Sequence, residues 1–86
     1  MRHALLLQGF GSHQEAARAI ADLRYDSLRD LLYALAERLE KDAQADLGRG
    51  RPKLAQSLDN ASIKALAMAH NIDRAWAISA PFMESE

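Results

Sequence analysis

The sequence predicts an all-α protein built on an antiparallel helical hairpin with a short preceding helix, and three observations predict it. Leu and Ala dominate a hydrophobic fraction of 49%, while aromatic residues make up only 6%. That balance favours helices, because strands draw on β-branched and aromatic side chains. Two long runs, 12–47 and 53–80, contain neither Gly nor Pro. Both runs carry apolar residues at alternating spacings of four and three, the period of one helix face. Eighty-six residues make one domain, 1–86, with room for a modest core.

The elements follow in chain order. Residues 1–11 form an apolar arm that ends in Gly9-Phe10-Gly11. A short helix is expected over 12–23, because Ser12 and Glu15 make a capping box that satisfies two orphaned backbone donors. The stretch Arg24-Tyr25-Asp26-Ser27 is the one plausible break before Leu47, with Asp26 or Ser27 capping a long helix over 26–47. A single unbroken helix over 12–47 is the alternative. The tetrapeptide Gly48-Arg49-Gly50-Arg51 then turns the chain, with Gly48 as a left-handed cap and both arginines near the negative helix end. Pro52 suits a first helical turn and opens a second long helix over 52–80. Pro81 is expected to end it, since proline disfavours helical geometry in the residue before it. Residues 81–86 form a tail.

The long helices carry matching stripes, Leu28, Leu32, Leu35 and Leu39 on the first and Leu54, Leu58, Ala61, Ala65, Met68, Ile72 and Ala75 on the second. Folded back on each other they form a seam in which Leu39 faces Ala61 and Leu35 faces Ala65, large against small. On the second helix Ile63, Leu66 and Ala67 lie far from that stripe with His70 near them, while Trp76 lies only about 50° off the stripe at about 100° per residue. Ala16, Ile20 and Leu23 of the short helix cover only part of this second apolar surface. Ile63, Leu66, Ala67, His70 and Trp76 are therefore read as an oligomer interface. The expected assembly is a homodimer whose two hairpins make a four-helix bundle.

Charge and composition exclude several function classes. A net charge of −1 leaves no global field toward nucleic acid or anionic membrane. With no cysteine, disulfides, thiolate catalysis and cysteine-based metal sites are ruled out. The apolar run Ala4–Leu7 is shorter than the roughly 7–15 residues of a signal-peptide core, and no stretch approaches the ~20 residues of a membrane span. A cytoplasmic location is expected, with no membrane partner and no cofactor or metal.

The local features carry what functional signal there is. Arg49-Gly50-Arg51-Pro52, extended by Lys53, resembles the core of the AT-hook, a minor-groove DNA-binding motif. The resemblance implies that Arg49, Gly50 and Arg51 insert into a narrow A·T groove, with nucleic acid as the partner. The same residues also read as a basic turn between helix ends, which accounts for each of them and is the preferred reading. Asp42 and Asp46 continue the leucine stripe and are expected to pair with Arg49, Arg51 or Lys53. Glu37 and Glu40 on one helix, with His70 and Asp73 on the other, resemble the acidic helix pairs of the all-α nucleotide pyrophosphohydrolases, which bind magnesium. His70 stands where that pattern has Glu. His3, His13 and His70 are isolated, with no i, i+4 metal pair. The leading expectation is a small, non-catalytic, oligomeric interaction or scaffold protein. A nucleic-acid-binding dimer using Arg49, Arg51 and Lys53 ranks second, and a metal-dependent nucleotide hydrolase using Glu37 and Glu40 third.

Overall fold

The computed structural model describes residues 3–83. Three helices follow one another, α1 over His13–Ala21, α2 over Tyr25–Gly48 and α3 over Pro52–Met83, with no strand among the described residues. The protein is all-α, and no described helix is long and apolar enough to cross a membrane.

Each helix end has an identifiable cause. Ser12 sits in extended geometry and its Oγ accepts the Glu15 N–H at 3.1 Å, which starts α1. Glu15 returns the bond one residue further back, its Oε2 accepting the Gly11 N–H at 3.0 Å. The helix stops at Ala21, where Asp22 N–H reaches back to the Arg18 carbonyl and Leu23 N–H closes a tighter turn on Ile20. Residues 12–47 are thus two helices, and the chain leaves helical geometry at Arg24 (φ −55°, ψ 143°).

The start of α2 differs from expectation, since neither Asp26 nor Ser27 is its cap. Arg24 holds that position without a side-chain cap bond, and Asp26 lies inside the first turn. There the Asp26 carboxylate accepts the Ser27 N–H at 2.9 Å and both prongs of the Arg24 guanidinium at 2.7 and 2.8 Å. A forked arginine–carboxylate pair is stronger than a single cap bond, and the carboxylate still sits at the positive helix end. The same guanidinium lies 5.3 Å from the centre of the Trp76 ring, which ties this junction to α3.

The turn between α2 and α3 is a complete Schellman motif. Gly50 N–H bonds to the Leu47 carbonyl at 3.1 Å and Arg51 N–H to the Asp46 carbonyl at 2.9 Å. Gly50, at φ 75°, is the left-handed residue; the expectation that Gly48 plays this part is corrected, because Gly48 is still helical and Arg49 is the cap. Arg51 is shared, since its carbonyl accepts the Ala55 N–H at 3.0 Å and so opens α3. Pro52 follows as the first helical residue.

Pro81 does not end α3, which runs through it to Met83. Its ring deprives only the Ala77 carbonyl of a helical partner, and Ala77 and Pro81 both lie on exposed turns, where solvent access lowers the cost of the lost bond.

α2 and α3 run past each other in opposite directions. Arg29 Nη1 meets Asp73 at 2.7 Å, the Tyr33 ring meets His70 edge-on at 5.8 Å, and the Ser62 hydroxyl donates to the Ala36 carbonyl at 2.7 Å. The surfaces in contact are rotated from the expected stripes. Ala36 and Ala43 are buried on α2 with Leu28 and Leu32, and Ala55, Ser62 and Ala69 are buried on α3. Leu35, Leu54, Ala61 and Met68 are exposed instead, so Leu35–Ala65 and Leu39–Ala61 do not form the centre of the contact. Small side chains win the seam because they let the backbones approach closely enough for the Ser62–Ala36 bond. The core is correspondingly slight. Leu28, Leu32 and Ala69 form its centre, with Ile20, Leu23, Tyr25, Tyr33 and Ile72 packed around them, and no large described side chain is fully buried. The molecule is a thin slab of 53 × 29 × 13 Å.

Two predictions follow from the helix ends. Gly50→Ala should cost about 1–2 kcal/mol, because a Cβ is penalised in the left-handed region, although open space surrounds it. Gly48→Ala should be neutral or stabilising by about 0.5–1 kcal/mol, and urea midpoints of the two variants should move in opposite directions. Asp26 sets a pH dependence: hydrogen bonds from Arg24 and then the Ser27 N–H hold its carboxyl below the ordinary value of 3.8, against partial desolvation. A carboxyl depressed on folding contributes stability above its unfolded pKa and loses it as pH falls through the folded one. The stability gap between wild type and Asp26→Asn should therefore close below about pH 4; a gap that persists into acid would contradict the assignment.

Candidate functional site

The basic turn is organised by one carboxylate. Asp46, only 8% exposed, ends the buried row of α2 and accepts from Arg49 Nη1 at 3.4 Å. Arg51 Nη1 lies 3.6 Å from the same oxygen. The other acid of the stripe behaves differently: Asp42 pairs with Arg38 on its own helix at 3.1 Å. Arg49 is near-helical and Gly50 left-handed, so the Arg49-Gly50-Arg51 backbone is a closed turn and lacks the extended form an AT-hook needs. Lys53 is exposed on the first turn of α3. Beside this turn lies an open cleft of about 420 Å³, with Leu39, Leu54 and Leu58 as apolar lining and His3, Asp42, Asp46, Arg49 and Arg51 as polar lining.

The acidic constellation does not converge. Glu37 pairs with Lys41 at 3.5 Å, Asp73 is held by Arg29, and His70 packs against Tyr33. Glu40 is exposed apart from them, and no group of three His, Asp or Glu among the described residues could hold a metal ion. The structure thus keeps apart the residues that the pyrophosphohydrolase resemblance would join.

The apolar surface is divided into two sides by the α2–α3 seam. At about 100° per residue, Leu31 and Leu35 lie to one side of the α2 contact row, and Arg29 and Tyr33 to the other. The same rotation on α3 separates Leu54, Ala61 and Met68 from His70 and Asp73. The Arg29–Asp73 and Tyr33–His70 contacts mark the second side. The cleft that joins Leu39 and Asp42 to Leu54 and Leu58 marks the first.

The residues expected at an interface fall mainly on the second side. Ile63 is 58% exposed, Leu66 and Ala67 are exposed, and His70 is exposed while touching Tyr33. Trp76 is half-buried under Arg24 and so is partly used within the chain. Sequence reasoning missed the first side, where Leu35 is 46% and Met68 52% exposed, because it had placed those residues inside the hairpin. A signal existed: Ala36 and Ala43, and Ala55, Ser62 and Ala69, recur at intervals of seven and mark the row that needs close approach.

No family model, curated protein or solved structure matches this chain.

Asp46 is the testable centre of the turn. Asp46→Asn should lower stability by about 1 kcal/mol, since it removes the carboxylate that two arginines share. Arg49→Ala or Arg51→Ala alone should cost less, because the other guanidinium remains. Chemical denaturation of the three variants gives the ranking, and an arginine variant weaker than Asp46→Asn would contradict it.

Proposed function

We propose that this chain is a non-catalytic helical interaction module that works as a homodimer, two α2–α3 hairpins joining into a four-helix bundle. One observation carries the reading, the surface left uncovered by the single chain. The accessible surface is 6879 Å² for 9.5 kDa. A compact monomer of that mass exposes about 5,000 Å². The radius of gyration is 15.6 Å, against about 12 Å for a compact domain of this length. The leucines left outside would stabilise the fold by roughly 1.5–3 kcal/mol each if fully buried.

The excess of roughly 1,800 Å² per chain, doubled across two copies, falls within the range of about 2,000–5,000 Å² that permanent homodimers bury. The non-catalytic part of the reading rests on the separation of Glu37, Glu40, His70 and Asp73, with Glu37 on Lys41, Asp73 on Arg29 and His70 against Tyr33. The turn's arginines share the charge of Asp46, which favours self-association over nucleic acid as its first role. Static light scattering should give about twice the 9.5 kDa chain mass. A mass equal to the single chain at all concentrations would overturn the proposal.

A further inference from the structure

Resting on that dimer reading, we infer that the face formed by Leu31 and Leu35 of α2 with Leu54, Ala61 and Met68 of α3 is the one that a second copy covers. The opposite side, which carries Ile63 and Leu66, then remains outward.

Three features separate the faces. The first is charge. The Ile63 side is crossed by the Arg29–Asp73 ion pair and the Tyr33–His70 contact, so burying it would desolvate an ion pair that is half-exposed in the single chain. On the Leu35 side the charges gather at the turn end, where Asp42, Asp46, Arg49 and Arg51 line the cleft, and none lies between Leu31 and Leu35 on α2 and Ala61 and Met68 on α3. Arg38 stands at the outer edge and pairs with Asp42.

Size complementarity is the second. In the middle of this face α2 presents Leu31 and Leu35 whereas α3 presents Ala61 and Ala65, with Leu54 and Met68 to either side. Against a second copy related by a two-fold axis, leucine rows of one chain meet alanine rows of the other in both directions, as an isologous interface requires.

The third is continuity. Small residues at the seam bring α2 and α3 close enough that the leucines of both helices form one platform, and the cleft shared by Leu39, Leu54 and Leu58 shows the two rows adjoining. The cavity on the Ile63 side, lined by Ala43, Leu47, Pro52 and Ala55 with Gln44, Gln56 and Asp59, sets no leucine of α3 beside Leu47. A face with an apolar middle of large and small residues and its charges at one end matches the make-up of permanent homodimer interfaces.

Ala61 gives the cleanest test, being exposed and small, so that a glutamate there disturbs nothing within the chain. Ala61→Glu should weaken the dimer about 100-fold or more, because it buries an unpaired carboxylate, and Ile63→Glu should leave the dimer intact. Sedimentation equilibrium with far-UV circular dichroism reads both. A second measurement covers the case in which the separated chain loses helicity. Because the chain lacks cysteine, Met68→Cys and Ile63→Cys each carry one thiol. Labelling of Met68→Cys should slow about tenfold as protein concentration rises through the dimer range, while Ile63→Cys should label at one rate throughout. If wild type is monomeric, the dimer reading itself fails. If wild type is dimeric but Ile63 is the protected or charge-sensitive position, or neither position responds, the face assignment alone is overturned.

Discussion

The structure depends on the close approach of α2 and α3 through a row of small residues. Ala36, Ala43, Ala55, Ser62 and Ala69 are buried at the contact, and Ala69 is fully enclosed. The Ser62 hydroxyl reaches the Ala36 carbonyl at 2.7 Å, which a short side chain can do only when the helix axes are near. This choice has a cost in burial. Alanine removes far less apolar area from water than leucine, so the seam alone supplies little of the hydrophobic driving force. The larger side chains turn outward, and the single chain is left as a slab that buries little of its own apolar surface. The proposed dimer follows from that constraint, because the leucines excluded from one seam are arranged to form another.

Both ends of the pair are tied by arginine–carboxylate contacts. At the turn, Asp46 uses its carbonyl to close the Schellman motif and its carboxylate to hold Arg49 and Arg51. At the far end, Arg24 binds Asp26 and covers Trp76, joining the α1–α2 junction to α3. Exposed ion pairs contribute little singly. Between these ends the register is marked by the contacts that cross from α2 to α3, Arg29–Asp73, Tyr33–His70 and Ser62–Ala36.

Much of the local architecture was legible residue by residue. The Ser12–Glu15 start, the break near Arg24 and the opening of α3 at Pro52 each rest on a side chain acting on its own neighbourhood. The misread ends involve competition between neighbours. Asp26 was available as a cap and was taken by Arg24. Gly48 and Gly50 were both able to adopt a left-handed turn, and the shared role of Arg51 selected Gly50. Pro81 was read from backbone sterics alone, whereas exposure of the last turn lets the helix run through it. The candidate site was less legible. Asp46 as partner of the basic turn followed from its place in the stripe, but which apolar face turns inward depends on how closely two helices pack.

By itself, then, the sequence determined the all-α class, the turn between two long helices and the surplus of apolar surface, because composition, capping and period act within one element. Only the tertiary structure decided the phase of the seam. On α3 the buried row Ala55, Ser62 and Ala69 lies one residue's rotation from the row Leu54, Ala61 and Met68 and has the same period, while on α2 Leu28 and Leu32 are buried beside Ala36 and Ala43. Period cannot choose between them; the distance at which Ser62 meets Ala36 does.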